Sequence, residues 1–106
     1  MIYCFDIDGT ICSSVLQGKY NEACPYRKRI EYVNKLFNEG HKIIYYTARC
    51  SSKSWFYRYI INYFKTWRQL KSWGCLFDKL KVGKLSYDLW IDDKAREADE
   101  YFWDIK

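Results

Sequence analysis

The 106-residue chain is one domain's length of polypeptide, which excludes two-domain and repeat-array architectures. Its 49% hydrophobic and 21% aromatic content, with one Pro and five Gly, is the opposite of a disordered composition. Eighteen Lys and Arg against thirteen Asp and Glu leave a charge of +5, a bias toward anionic partners that does not choose among phosphate esters, nucleic acids and acidic proteins.

Residues 2–7 form a short apolar run ending in Asp-Gly, the pattern of a buried strand that leads into a turn, so Asp6 and Asp8 fall at its carboxyl end. Residues 12–26 lack periodicity and carry Ser13, Ser14, Gly18 and Pro25, which reads as a long loop, and long ordered loops are often functional. A helix is expected from Arg27, with Ile30, Val33, Leu36 and Phe37 on one face and Gly40 as its stop. Residues 42–47 read as a second strand. A longer helix follows, with Trp55, Phe56, Tyr59, Ile60, Tyr63, Phe64, Trp67 and Leu70 at helical spacing, an aromatic stripe that reads as core rather than ligand platform. Residues 75–82 and 87–91 are expected as a third and a fourth strand, and residues 94–103 as a last helix.

Apolar runs such as residues 43–46 are far short of a membrane span, and Asp6 and Asp8 interrupt the region where a signal peptide needs apolar residues. Five cysteines without a C-x-x-C pair suggest neither a disulfide framework nor a zinc site. A cytoplasmic protein with no membrane partner is expected. Between Gly40 and Phe77 there is no acidic residue, while Lys42, Arg49, Lys53, Arg58, Lys65, Arg68 and Lys71 all fall there, as a solvated helix face or as a binding patch.

Strands alternating with helices imply a mainly parallel sheet covered on its faces, and such sheets bind ligands beyond the carboxyl ends of their strands. Asp6 with Asp8, Thr47, Lys84, and Asp92 with Asp93 each follow an expected strand, so four segments should deliver them to one edge. Carboxylates gathered there repel each other unless a hard cation such as Mg²⁺ sits among them. Lys84 and Thr47 beside such an ion would hold phosphoryl oxygens, with one Asp as nucleophile and a second as proton donor. Taken singly, Lys84 reads as a surface lysine and Asp92 or Asp93 as a helix cap.

The segment Asp6-Ile7-Asp8-Gly9-Thr10 after an apolar strand resembles the opening D-x-D-G-T motif of the haloacid dehalogenase superfamily. Thr47-Ala48-Arg49 resembles its second motif, Gly83-Lys84 the third and Asp92-Asp93-Lys94 the fourth, in order over about residues 2–103. The wording is closer still to small, capless phosphatases of that superfamily. The resemblance implies a Rossmann-like three-layer α/β/α sandwich with about four strands, spanning residues 1–106 as one domain. It implies that Asp6 attacks phosphorus, that Asp8 protonates the leaving group and later activates water, and that Thr47 and Lys84 hold the phosphoryl oxygens. Mg²⁺ would be held by the Asp6 carboxylate, the Asp8 carbonyl and Asp93, with Asp92 orienting Lys84 or a water. Gly9, Thr10 and Ala48 would lie on the substrate side.

Neither motif interval leaves room for a cap domain, so Lys19 in the long loop and Arg49 after the second strand are the expected remote substrate contacts, unless a second subunit of a homo-oligomer covers the site. Cys50 stands where relatives tend to have Gly. The expected activity is Mg²⁺-dependent hydrolysis of a small phosphorylated metabolite, a sugar phosphate or nucleotide. The alternative is a phosphatase acting on nucleic-acid ends, since the chain also resembles the phosphatase half of polynucleotide kinase-phosphatases. A non-catalytic, basic, aromatic nucleic-acid-binding module stands third.

Overall fold

The computed structural model describes residues 1–49 and 56–105. Its regular elements are β1 (Ile2–Phe5), α1 (Arg27–Asn38), β2 (Lys42–Tyr46), α2 (Phe56–Ser72), β3 (Lys79–Lys81) and α3 (Ala98–Tyr101), with one 3₁₀ turn at Tyr20–Glu22. The three strands pair in the order β1-β2-β3, all parallel, with Phe5 beside Tyr45 and Tyr45 beside Leu80. Parallel pairing needs a crossover, and α1 and α2 supply the two.

Strand side chains alternate between faces, so the register sorts them into two sets. Phe5, Ile43, Tyr45 and Leu80 are buried on one face, in one core with Ile30, Val33 and Leu36 of α1, Leu70 at the end of α2, Trp73, Cys75 and Phe102. The Phe102 ring stacks on Phe5 at 6.0 Å and meets Tyr32 edge-on, which fixes α3 over β1 and α1. Asn34 ties α1 to the chain after α2: its amide donates to the Gly74 carbonyl and its oxygen accepts from Leu76 N, each at 2.8 Å. The other face carries Ile2, Cys4, Lys42, Ile44, Tyr46, Lys79 and Lys81, none of them in the core.

The α/β class and the parallel pairing of strands follow expectation; the extent of the sheet does not. Among the described residues the sheet has three strands. Residues 87–91, expected as a fourth, form no strand and are exposed, Leu89 and Ile91 at 76% and 88%. Instead the Tyr87 and Trp90 rings meet at 4.9 Å and both lie by the Lys84 ammonium, which folds this run onto itself. The last helix is correspondingly short, beginning only at Ala98, where Glu97 accepts from the Asp99 and Glu100 amides.

The aromatic stripe of α2 is only partly core. Leu70 and Thr66 are buried and Tyr63 packs against the core, but Tyr59, Ile60, Phe64 and Trp67 are exposed, because only the line of residues 63, 66 and 70 is turned inward. Cys50, Lys53, Trp55, the serines at 51, 52 and 54, and the Phe56 and Arg58 side chains lie outside the described residues. No helix among the described residues is long and apolar enough to cross a membrane.

Candidate active site

Parallel strands end on one edge, and the segments after β1, β2 and β3 meet there. Ile7 is fully buried and anchors the chain between Asp6 and Asp8. Its carbonyl accepts from Thr10 N and Ile11 N at 3.0 Å, and Gly9 N donates to the Cys12 carbonyl at 2.9 Å, winding a tight turn directly after the two acids. Gly9 has φ +78°, a conformation that favours glycine, and a Cβ there would make Ser14 Oγ, 2.9 Å away, move aside.

Thr47 and Lys84 are brought together by main-chain bonds. Thr47 N donates to the Lys81 carbonyl, Lys84 N to the Thr47 carbonyl and Gly83 N to the Arg49 carbonyl, at 3.0, 2.9 and 2.8 Å. Gly83 turns this corner with φ +78°. Thr47 is buried, and its Oγ1 accepts from Arg49 N at 3.2 Å. The Lys84 ammonium lies against the Tyr46 ring at 5.8 Å and the Tyr87 and Trp90 rings at 5.3 Å, which limits where it can reach.

Asp6 accepts from its neighbour Ile7 N at 2.8 Å. Burial pushes its carboxyl above the ordinary value; the Ile7 amide, Lys84 and Arg49 oppose that rise, and Asp8 adds to it. Asp8 is held differently. Arg49 Nε and Nη2 donate to its two carboxylate oxygens at 2.9 and 2.7 Å, while Arg49 Nη1 donates to Gln69 Oε1 at 2.7 Å and the guanidinium lies 4.4 Å from the Tyr20 ring. Gln69 in turn donates to the Tyr20 carbonyl. Arg49 is thus 2% exposed and built into the site's floor, rather than extended toward a substrate. Cys12 Sγ stands 3.6 Å from Asp8, and burial beside that carboxylate pushes the thiol up to about 12, far from a reactive thiolate.

A cleft of about 280 Å³ opens over Asp8, lined also by Ser14, Val15, Gln17, Tyr20, Ala48 and Ser86. Ala48 thus lines the cleft, and Lys19 is exposed in the loop beside Tyr20. Thr10 is not among the cleft-lining residues, and its carbonyl accepts from Arg29 Nη1 at 2.9 Å. A larger hollow of about 690 Å³ between the start of α1 and α3 is lined by Arg29 but shares no residue with the cleft over Asp8.

Asp92 and Asp93 are not brought to this group. Both are exposed; Asp92 accepts from Lys94 N at 2.8 Å and Trp90 Nε1 at 3.3 Å, which holds its carboxyl below the ordinary value. Among the described residues, no group of three or more His, Cys, Asp or Glu side chains is placed to hold a metal ion. Gln69 escapes sequence reasoning altogether, since one glutamine on a helix gives no signal; Ser14 and Ser86 look like ordinary loop residues.

No protein-family model matches the chain, and no curated protein matches it. Among solved structures, the crystal structure of a structural-genomics target from Vibrio cholerae is similar, with a TM-score of 0.72 at 23% identity, over 94% of this chain and 85% of that one. At that identity the likeness shows a shared fold.

Proposed function

We propose that the chain is a phosphomonoester hydrolase of the haloacid dehalogenase type, with Asp6 as nucleophile. One observation carries this reading: an acid raised by burial and a lysine, threonine and second acid converge from the ends of three parallel strands. Asp8 lines the cleft, and an acid raised by burial with a lysine charge acting on it is a functional-site candidate on physical grounds.

In this reading an ionised Asp6 oxygen attacks phosphorus, the ester P–O bond breaks, and the leaving alkoxide takes a proton from the acid form of Asp8. Lys84 Nζ and Thr47 Oγ1 stabilise the phosphoryl oxygens. In the second half, Asp8 as carboxylate takes a proton from water as that water attacks the phosphorus; phosphate leaves and Asp6 is regenerated.

Asp6 and Asp8 offer the oxygen donors that Mg²⁺ prefers, a carboxylate and a main-chain carbonyl; Asp93 or Asp92 would complete the set, although both stand apart from the pair here. When bound, the ion would neutralise phosphoryl charge. The substrate is a phosphorylated small molecule or a phosphate-bearing end. The reading is tested by acid-quenching the protein during turnover of a labelled phosphate ester in Mg²⁺ buffer. Label on the peptide that carries Asp6, absent from Asp6→Asn, is the expected result; turnover without such label would remove the nucleophile.

A further inference from the structure

The outward face of the sheet lies outside the core, and the register sets its residues in rows: Ile2 beside Lys42, Cys4 beside Ile44 beside Lys79, and Tyr46 beside Lys81. Lys42, Lys79 and Lys81 are exposed, as is Ile2, and no acidic residue occupies an outward position on any of the three strands. The ion pairs among the described residues, Arg29 with Asp99 and Arg49 with Asp8, do not involve these lysines. Lys79 and Lys81 are two residues apart on one strand, about 6.6 Å, a step comparable to one nucleotide of an extended strand. At the carboxyl end of the face stand the Tyr46, Tyr87 and Trp90 rings around Lys84, with Tyr87 and Trp90 45% and 46% exposed.

Three lysines on one sheet face, leading to partly exposed aromatic rings, complement a chain of regularly spaced negative charges that carries flat groups. We propose that this face binds single-stranded nucleic acid, with a terminal phosphate directed toward Lys84 and Asp6. Binding stands on the face alone; hydrolysis of that terminal phosphate rests on the phosphatase reading. A second copy is a poor occupant, because a two-fold contact would set these lysines against each other on molecules of charge +5. An acidic peptide would match the charge but leave the rings without planar partners.

The test is fluorescence anisotropy of a labelled single-stranded oligonucleotide of about ten nucleotides carrying a 3′-phosphate, alongside turnover of nitrophenyl phosphate. Three or four phosphate contacts predict a log–log salt slope of about −2 to −3. Lys42→Glu, Lys79→Glu and Lys81→Glu together should weaken binding about 100-fold or more, and the matching Lys→Gln triple, which adds no repulsion, about tenfold. Nitrophenyl phosphate turnover should be unchanged in both, which also shows that they fold. Full affinity in the Gln triple, no salt dependence, displacement by poly-glutamate as readily as by unlabelled oligonucleotide, or dimerisation through this face without oligonucleotide binding would each overturn the proposal. Oligonucleotide binding without turnover of any phosphate ester would sink the phosphatase reading alone; turnover without binding would sink this one alone.

Discussion

Arg49 grips Asp8 with two parallel N–H bonds of 2.9 and 2.7 Å, from a position that is itself almost wholly buried. The guanidinium's third contact, to Gln69 on α2, makes it the joint between the turn after β1, the turn after β2 and the long helix. A residue so placed sets the orientation of Asp8 more than it recognises the body of a substrate.

Arg49→Ala should therefore be costly. Arg49 is buried and Asp8 only partly so, and removing the guanidinium leaves that carboxylate without its partner, about 2 kcal/mol, or a Tm lower by roughly 8 °C or more for a domain of this size. Arg49→Lys should recover less than half of that, since an ammonium cannot reproduce the fork. Thermal unfolding of the single variants and of Asp8→Ala with Arg49→Ala closes the cycle: the double variant should be less destabilised than the sum of the singles. Strict additivity would mean that the pair is decorative.

Asp6→Asn should lower phosphate release from nitrophenyl phosphate by at least about 10³-fold with the fold retained, because the amide matches the carboxyl in size but is no nucleophile. Steady-state rates with circular dichroism as the folding control decide it. Activity within tenfold of the parent would place the nucleophile elsewhere.

The same substitution makes a prediction about stability. The folded state holds the Asp6 proton more tightly than the unfolded chain does, so stability falls as pH rises from the ordinary value of 3.8 through the raised folded value. Asp6→Asn cannot ionise, and its Tm should exceed the parent's at neutral pH and converge with it in acid below 3.8. A lower Tm for the variant at neutral pH would show that the Asp6 charge is stabilising, against the effect of burial.

Chelation should stop turnover, Mg²⁺ should restore it, and Ca²⁺, larger and looser in its coordination, should not. Asp93→Ala should raise the Mg²⁺ concentration needed for half-maximal rate more than Asp92→Ala does. The opposite order would exchange their roles, and full activity in metal-free buffer would remove the ion from the reaction.

Much of this molecule was legible in its sequence, for a local reason. A strand that ends in Asp-Gly, a helix with Ile30, Val33 and Leu36 on one face, and an Ile-Tyr strand before Thr47 are specified by residues close along the chain, and parallel pairing then puts Asp6, Asp8, Thr47 and Lys84 on one edge. What depended on residues far apart was not legible. Arg49 looked like a substrate contact until the turns after β1 and β2 brought it 2.7 Å from Asp8, with Gln69 from α2 behind it. Residues 87–91 have the composition of a buried strand, but composition states only that a segment can be buried; whether a surface receives it is decided by the rest of the chain, and here Leu89 and Ile91 remain exposed. The outward lysines follow the same logic: alternation along β2 and β3 sets Lys42, Lys79 and Lys81 on one face, and only the tertiary packing, which places α1, the end of α2 and Phe102 in a core with the inward residues, leaves that face outside the core.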